Sequence, residues 1–290
     1  MTPPVSVART ARERTRAELT REITKEARRQ LAAVGANGLS LRAVAKELGM
    51  VSSALYRYYP SKDDLLTALI IDAYTALGEA AETAIAAAAA APPAAAPPAG
   101  GTPAGGTPAG ETLGRARWMA ACHAIREWAV AHPHEYALIY GSPVPGYRAP
   151  EATIGPAART PLAFVSVLRD ALASGELADT GAATRADAAA DVAADVAAAT
   201  VAGASAEPVA GWQPVDGPLA DQAAALSAAL ALEGAPAVPG YLLVRAVIAW
   251  TQLFGMLSFE LFGQFVGSFE PADAFFSYAA TQLAASIGLR

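Results

Sequence analysis

Apolar residues recur at every third or fourth position along most of the chain, which is the period of an amphipathic α-helix. The first such stretch covers residues 15–34, where Leu19, Ile23, Ala27 and Leu31 are separated by charged side chains. The same period predicts further helices over residues 40–48, 52–59, 61–91, 111–131, 133–141, 155–175, 185–202, 217–233, 239–265 and 271–288. No stretch shows the strict alternation of a half-buried strand. The pattern therefore predicts an all-α fold of about eleven helices.

The ends of the early helices are marked by residues with known capping roles. Ser40 is suited to cap the second helix, and Gly49 is suited to end it in the left-handed conformation. Pro60 is expected to stop the third helix. Ser61, followed three residues later by Asp64, resembles a capping box at the start of the fourth helix.

Two short helices joined by a tight glycine turn, with a supporting helix before them, predict a helix-turn-helix over residues 40–59. Leu55 and Tyr59 are expected to face the supporting helices. The outward face then holds small, hydroxyl-bearing, aromatic and cationic side chains that suit base edges and phosphates of double-stranded DNA. The predicted DNA-contacting residues are Ser40, Arg42, Ser52, Ser53, Ala54, Tyr56, Arg57, Tyr58 and Lys62.

The charge distribution supports a polyanionic partner at one end of the chain. Up to residue 70 there are 12 Lys and Arg against 7 Asp and Glu, a balance of +5, whereas the remaining 9 basic and 20 acidic residues give −11. A basic segment attached to an acidic body is the pattern expected when only one end meets nucleic acid.

The composition indicates a cytoplasmic, helical protein. Hydrophobic residues make up 53% of the chain, but about half of them are alanine, a strong helix former. A single cysteine excludes an intramolecular disulfide framework and suits a reducing compartment. Polar residues interrupt the apolar run in residues 241–265, which falls short of the roughly 20 residues of a membrane span, so no membrane partner is predicted.

Residues 92–110 contain a tandem GGTPA repeat and lack any side chain that could anchor a core. This composition predicts a flexible loop. It divides the chain into an N-terminal domain of residues 15–78 and a C-terminal domain of residues 111–290.

The residues from Ser40 to Gly49, followed by Val51 to Leu66 with the run LYRYYPSKDDLL, resemble the N-terminal domain of TetR/AcrR-family transcriptional regulators. The resemblance covers roughly residues 17–77, with Tyr59 at a position where the family usually has Phe. Trp250, Phe254 and Gly255, with the segment 132–147, resemble a subgroup whose C-terminal domain carries a Trp-x-x-x-His-Gly signature, although Phe254 replaces the histidine.

The resemblance implies a homodimeric repressor that reads a palindromic operator and is released when a small-molecule effector enters the C-terminal domain. The stripes on the last two helices are suited to a four-helix dimer interface, with the core of one subunit as the alternative. Their residues are Leu243, Val247, Trp250, Phe254, Leu257, Leu261, Phe276, Leu283 and Ile287. An aromatic set could line the effector pocket, or be ordinary core: Trp118, Trp128, Tyr136, Tyr140 and Phe164.

Other chemistries receive little support from the sequence. His132 and His134 flank a proline and do not have the i, i+4 spacing of helical metal ligands, and Cys122 stands alone, so we predict no metal site and no cofactor. No nucleophile motif or dinucleotide fingerprint indicates an enzyme. A dimeric adaptor that keeps the fold without operator binding, or an enzyme on the same fold, are the alternatives.

Overall fold

The computed structural model describes residues 6–90, 112–177, 215–231 and 237–289, and in these ranges the chain is all-α, as predicted. Ten α-helices lie in the described ranges: α1 Ser6–Gly38, α2 Leu41–Glu47, α3 Ser52–Leu55, α4 Lys62–Ala90, α5 Leu113–Ala131, α6 Pro133–Tyr140, α7 Ile154–Ala173, α8 Gly217–Ala229, α9 Gly240–Leu261 and α10 Asp273–Ile287. A 3₁₀ turn, Glu151–Thr153, precedes α7, and an isolated antiparallel bridge joins Leu177 to Leu289.

Most predicted helix ends agree with the structure to within four residues, and the start of α1 differs by more. α1 starts at Ser6 rather than residue 15, and a non-helical Gly35 breaks it near its end. α3 ends at Leu55, after which Arg57 and Tyr58 donate backbone N–H bonds three residues back, to Ala54 and Leu55. The predicted helix 185–202 and the predicted loop 92–110 lie outside the described residues.

The described residues form two compact units, and the chain passes between them more than once. The first unit holds the residues up to Glu79 together with Glu127–Arg159, and the second holds those of Ala80–Arg126 and Thr160–Arg290. The end of the first stretch lies next to the predicted boundary at residue 78. However, residues 127–159 group with the N-terminal helices, whereas the sequence analysis assigned them to the C-terminal domain.

The core of the first unit consists of the apolar faces of α1, α2, α3 and α4. Ile23, Ala27, Val44, Leu55 and Leu66 are fully buried in it. Ser61 acts as the predicted cap of α4, because its hydroxyl oxygen accepts the N–H of Asp64 at 3.1 Å while the hydroxyl donates to the Asp64 carboxylate at 2.7 Å.

Residues 133–147 add a second layer of contacts to this core. Tyr147 and Thr67 share a hydroxyl hydrogen bond of 2.9 Å, and Tyr74 donates to the carbonyl of Ile139 at 3.3 Å. Arg28 on α1 pairs with Asp72 on α4 at 2.8 Å and with Glu135 on α6 at 3.2 Å. One guanidinium therefore connects three helices of the first unit.

α9 is the one helix in the described ranges that is long and apolar enough to cross a membrane by length and composition. Within the structure, 44% of its most apolar stretch is buried, including the charged side chain of Arg245. The core helix of a soluble protein meets the same length and composition criteria.

A polar network in the second unit ties three helices together. Arg126 on α5 makes a bidentate pair with Glu260 on α9, with nitrogen–oxygen distances of 2.7 and 2.9 Å, and bonds Asp273 at the start of α10 at 3.0 Å. The ring of Phe276 lies 5.2 Å from the guanidinium carbon. The Arg126 hydrogen bond lowers the pKa of Asp273, whose carboxylate stands in the first turn of α10, where the helix dipole also favours a negative charge.

We expect the substitution Arg126→Gln to lower the free energy of unfolding by about 2 kcal/mol, because it leaves the mostly buried Glu260 carboxylate without its cation. Arg117→Gln is the matched control, since the partner of Arg117, Asp170, has a 60% exposed side chain that water can solvate. Urea denaturation of both variants measures the difference. Equal losses in the two variants would show that Arg126 acts as an ordinary surface pair.

Candidate nucleic-acid interface

α3 is a single helical turn held by two buried side chains. Leu55 is fully buried, and Tyr59 is 9% exposed in the same cluster as Val44 and Ala45 of α2. Between these anchors, Tyr56 is 41% exposed and Arg57 is also exposed. The predicted division of this segment into an inward and an outward face is confirmed for these four residues.

The turn between α2 and α3 needs a glycine. Gly49 has a φ of +64°, which side chains with a Cβ rarely adopt, and its N–H bonds to the carbonyl of Lys46 at 3.1 Å. The N–H of Met50 reaches back to the carbonyl of Ala45 at 2.8 Å. These two bonds satisfy carbonyls at the end of α2 and set the direction in which α3 leaves.

Three of the predicted DNA-contacting residues lie at the starts of α2 and α4. Ser40 caps α2, with its hydroxyl oxygen 3.5 Å from the N–H of Ala43, a long bond. Arg42 is exposed on the first turn of α2. Lys62 is half-buried, and its ammonium donates to the carbonyl of Asn37 at 2.8 Å, which closes the end of α1. Lys62 therefore has a structural bond of its own, a role that the sequence analysis did not foresee.

Four side chains of the α3 segment, unlike that of Lys62, are not engaged in a structural hydrogen bond. Ser52, Ser53, Tyr56 and Arg57 make no side-chain hydrogen bond or ion pair to any residue in the described ranges. Ala54 is half-buried between them. Donors, hydroxyls and an aromatic ring thus face outward together, which suits recognition of base edges and phosphates in a major groove.

Tyr58 differs from its neighbours because a residue far away in the sequence covers it. Its ring packs against the core, and the guanidinium carbon of Arg16 on α1 lies 5.6 Å from the ring centroid. Arg16 is exposed and adds a positive charge beside α3. The sequence analysis did not select Arg16, which it counted only as part of the basic N-terminal segment.

Two family models match this chain. Residues 23–69 match the bacterial regulatory proteins of the tetR family, and residues 118–283 match the tetracyclin repressor-like C-terminal domain. The chain belongs to the TetR family. The first match covers the α2–α3 interface described above.

Similar proteins agree with this assignment. The chain is 39% identical over 167 residues to the HTH-type transcriptional regulators Rv1816 of Mycobacterium tuberculosis and Mb1846 of Mycobacterium bovis, and the match covers 56% of this chain and 61% of theirs. The chain thus spans less than two thirds of the length of these relatives. The solved structure of a regulatory protein, SCO4313, is 30% identical, with a TM-score of 0.58, over 94% of this chain and 98% of that one.

The aromatic residues predicted for an effector pocket separate into two sets. In the second unit, the rings of Trp118 and Phe164 lie 4.6 Å apart. In the first unit, Trp128 stacks on His132 at 5.1 Å, and Tyr136 and Tyr140 are neighbours at 5.2 Å. Burial raises the pKa of the Tyr140 hydroxyl, which keeps it protonated. Whether these rings meet an effector stays a prediction.

The predicted dimer stripe of the TetR-family chain needs correction. Six of its nine residues are at most 7% exposed within a single protomer: Leu243, Phe254, Leu257, Phe276, Leu283 and Ile287. These side chains build the protomer's own core, because the most apolar face of a helix is the one that its own chain covers first. Val247 is 46% exposed, and Trp250 and Leu261 are half-buried.

The residues considered for metal or thiol chemistry are dispersed or shielded. Among the described residues, no three His, Cys, Asp or Glu side chains form a group that could hold a metal ion. Cys122 is fully buried, and burial raises the pKa of its thiol far above the physiological range. His123 lies edge-on to Phe276 at 5.6 Å, and His132 bonds the carbonyl of Trp128 at 2.9 Å.

We expect the double substitution Tyr56→Phe and Arg57→Ala to weaken binding to selected DNA fragments at least 100-fold. The reason is that it removes a hydroxyl and a guanidinium from the exposed face, where one good bidentate base contact is worth about 1–3 kcal/mol. Leu55 and Tyr59 are unchanged, so the fold should persist.

The control is Arg148→Ala, which removes an exposed arginine from the connection between α6 and α7. Fluorescence anisotropy with a labelled fragment at roughly physiological salt compares both proteins with the wild type. The assignment of the reading face would be wrong if the double variant bound as tightly as the control.

Proposed function

We propose that this TetR-family protein is a homodimeric, ligand-responsive repressor that acts in the cytoplasm on a palindromic operator. The observation that carries the proposal is the α3 segment, where exposed Tyr56 and Arg57 alternate with buried Leu55 and Tyr59. Two such segments related by a two-fold axis would enter successive major grooves about 34–36 Å apart.

The last two helices of the chain, α9 and α10, offer a suitable surface for binding a second copy of the chain. On α9, Val247, Thr251, Gly255 and Phe259 recur every four residues, and three of them are exposed. On α10, Ala274, Tyr278, Gln282 and Ala285 form a similar exposed row. A Cβ atom built at Gly255 would meet nothing within 4 Å, so a partner helix has room to approach closely there. These faces replace the buried stripe as the proposed four-helix interface.

The response to an effector requires a connection between the two units. α4 is one continuous helix whose residues belong to the first unit up to Glu79 and to the second from Ala80. In the first unit, Asp72 on α4 pairs with Arg28, and buried Leu65 and Leu69 lie in the core that also holds α3. We therefore assign α4 the role of lever: an effector that favours one position of this helix would change the spacing of the two recognition helices.

Selection of genomic DNA fragments by the purified protein tests the operator. We expect one palindromic sequence to remain enriched when the salt is raised from about 50 to about 200 mM, because base contacts persist while counterion-driven attraction weakens. The double variant of Tyr56 and Arg57 is the negative control. Enrichment that disappears entirely at the higher salt would favour the adaptor or enzyme alternatives.

Sedimentation measurements test the dimer. We expect the wild type to sediment at twice the protomer mass of 29.5 kDa, and Gly255→Arg to weaken the association at least tenfold, because a long cation would occupy the open space at this position. Leu219→Arg, at an exposed apolar residue of α8, is the control and should leave the dimer intact. A monomeric wild type, or a Gly255→Arg variant that dimerises normally, would contradict the proposed interface.

A further inference from the structure

Several buried polar groups in the second unit lack hydrogen-bond partners among the described residues, and two of them belong to neutral side chains that are almost completely buried. Trp118 on α5 is 1% exposed, and its indole Nε1 bonds to no described residue. Thr160 on α7 is fully buried, and its hydroxyl is likewise unpaired. An unsatisfied buried donor is rare in folded proteins and costs about 1–3 kcal/mol, so an unpaired indole and an unpaired hydroxyl on neighbouring helices call for a physical explanation.

The two groups lie beside the same aromatic ring. Phe164 is one helical turn from Thr160 on α7, about 6 Å along the axis. The centroid of its ring is 4.6 Å from that of Trp118. α5 and α7 are also joined elsewhere: Arg117 pairs with Asp170 at 2.7 Å, and a Cβ at Gly114 would stand 2.9 Å from the Cβ of Ala171. The unpaired indole and hydroxyl are therefore on two helices that pack directly against each other.

The fully buried side chains one turn away from these two groups are apolar and uncharged, and the guanidinium of Arg117, which is next to Trp118 in the sequence, is paired with Asp170. On α5 the buried neighbours one turn away are Ala121 and Cys122, with Ile125 beyond. On α7 they are Ala163, Val167 and Leu168. Burial raises the pKa of the Cys122 thiol, so it carries no charge. A charged ligand would lose its hydration here and gain no counter-charge from these side chains. A neutral, apolar ligand does not pay this desolvation cost.

We propose that Trp118, Thr160 and Phe164 form the effector subsite, and that it takes a neutral, planar aromatic molecule bearing a carbonyl oxygen. The indole N–H can only donate, so the ligand must offer an acceptor to Trp118. The hydroxyl of Thr160 donates to the same oxygen or to a second acceptor, and Phe164 supplies a ring face for the planar group. This inference rests on the proposed function, in which an effector controls operator binding.

A matched pair of probes isolates the hydrogen bond. 2-Acetonaphthone carries the carbonyl, and 2-isopropenylnaphthalene replaces its oxygen by a CH₂ group of similar shape. The readout is the indole ¹H–¹⁵N resonance of Trp118, assigned among the four tryptophans of the chain. The ketone should move this resonance to higher proton frequency, as hydrogen bonding does, and bind about tenfold more tightly than the hydrocarbon. Equal affinities, or a Trp118 resonance that neither probe moves, would overturn the proposal.

Thr160→Val supplies an independent test because it removes the hydroxyl and keeps the shape. We expect it to raise the melting temperature of the free protein and to weaken ketone binding about tenfold. Thr153→Val is the matched control: Thr153 is also buried, but its hydroxyl donates to the carbonyl of Pro150 at 2.7 Å, so this substitution should lower the melting temperature. A melting temperature that falls equally in both variants would mean that the Thr160 hydroxyl is already satisfied in the free protein, and would overturn the assignment.

The same samples separate this inference from the proposed function. Operator selection is measured without any probe, and the Trp118 resonance is measured without DNA. Intact operator selection with no ketone binding overturns the subsite alone. Ketone binding without operator selection overturns the proposed regulator and leaves the subsite as a binding site.

Discussion

The candidate DNA-reading surface depends on the burial of Leu55 and Tyr59. A helix of one turn has no stability of its own in water, since nucleation fixes several residues for a single hydrogen bond. α3, with four residues, is held only because Leu55 and Tyr59 enter the core beside Val44 and Ala45. Tyr56 and Arg57 lie between these anchors in the sequence, so their outward direction is a consequence of the burial of their neighbours. The core of the first unit and its reading face are therefore one structural feature.

Local signals explain why the helix-turn-helix could be predicted from the sequence. Ser40, Gly49 and Ser61 each act within a few residues of their own position, as an N-cap, a left-handed turn and a capping box. The end of this segment has a local reason as well: a residue before proline avoids the helical region, so no helix continues past Tyr59, which precedes Pro60. The segment instead closes with bonds from Tyr58 and Tyr59 to the carbonyl of Leu55.

The features that could not be predicted depend on contacts between distant segments. Periodicity identifies an apolar face on α9 and α10, but it does not say whether the same chain or a second copy covers that face, and Leu243 and Leu257 turned out to be core. The open face at Gly255 and Tyr278 mixes polar, small and apolar residues, so it gives no hydrophobic periodicity that a sequence pattern would detect. Arg126 finds Glu260 and Asp273 at sequence separations of 134 and 147 residues, which no local pattern encodes. The grouping of residues 127–159 with the first unit likewise depends on contacts between segments that are distant in the sequence.

The second unit combines the paired network of Arg126 with the unsatisfied groups of Trp118 and Thr160, and the contrast bears on the proposed regulation. Arg126 holds α5, α9 and α10 together through hydrogen bonds to the carboxylates of Glu260 and Asp273. Such charge-assisted hydrogen bonds resist displacement. Trp118 and Thr160 leave α5 and α7 with an unfavourable energy that a ligand could relieve. Both helices continue into the first unit, α5 from Glu127 and α7 up to Arg159. In the proposed mechanism, a ligand that fixes the spacing of α5 and α7 acts on helices that continue into the first unit, so these two helices join α4 as levers.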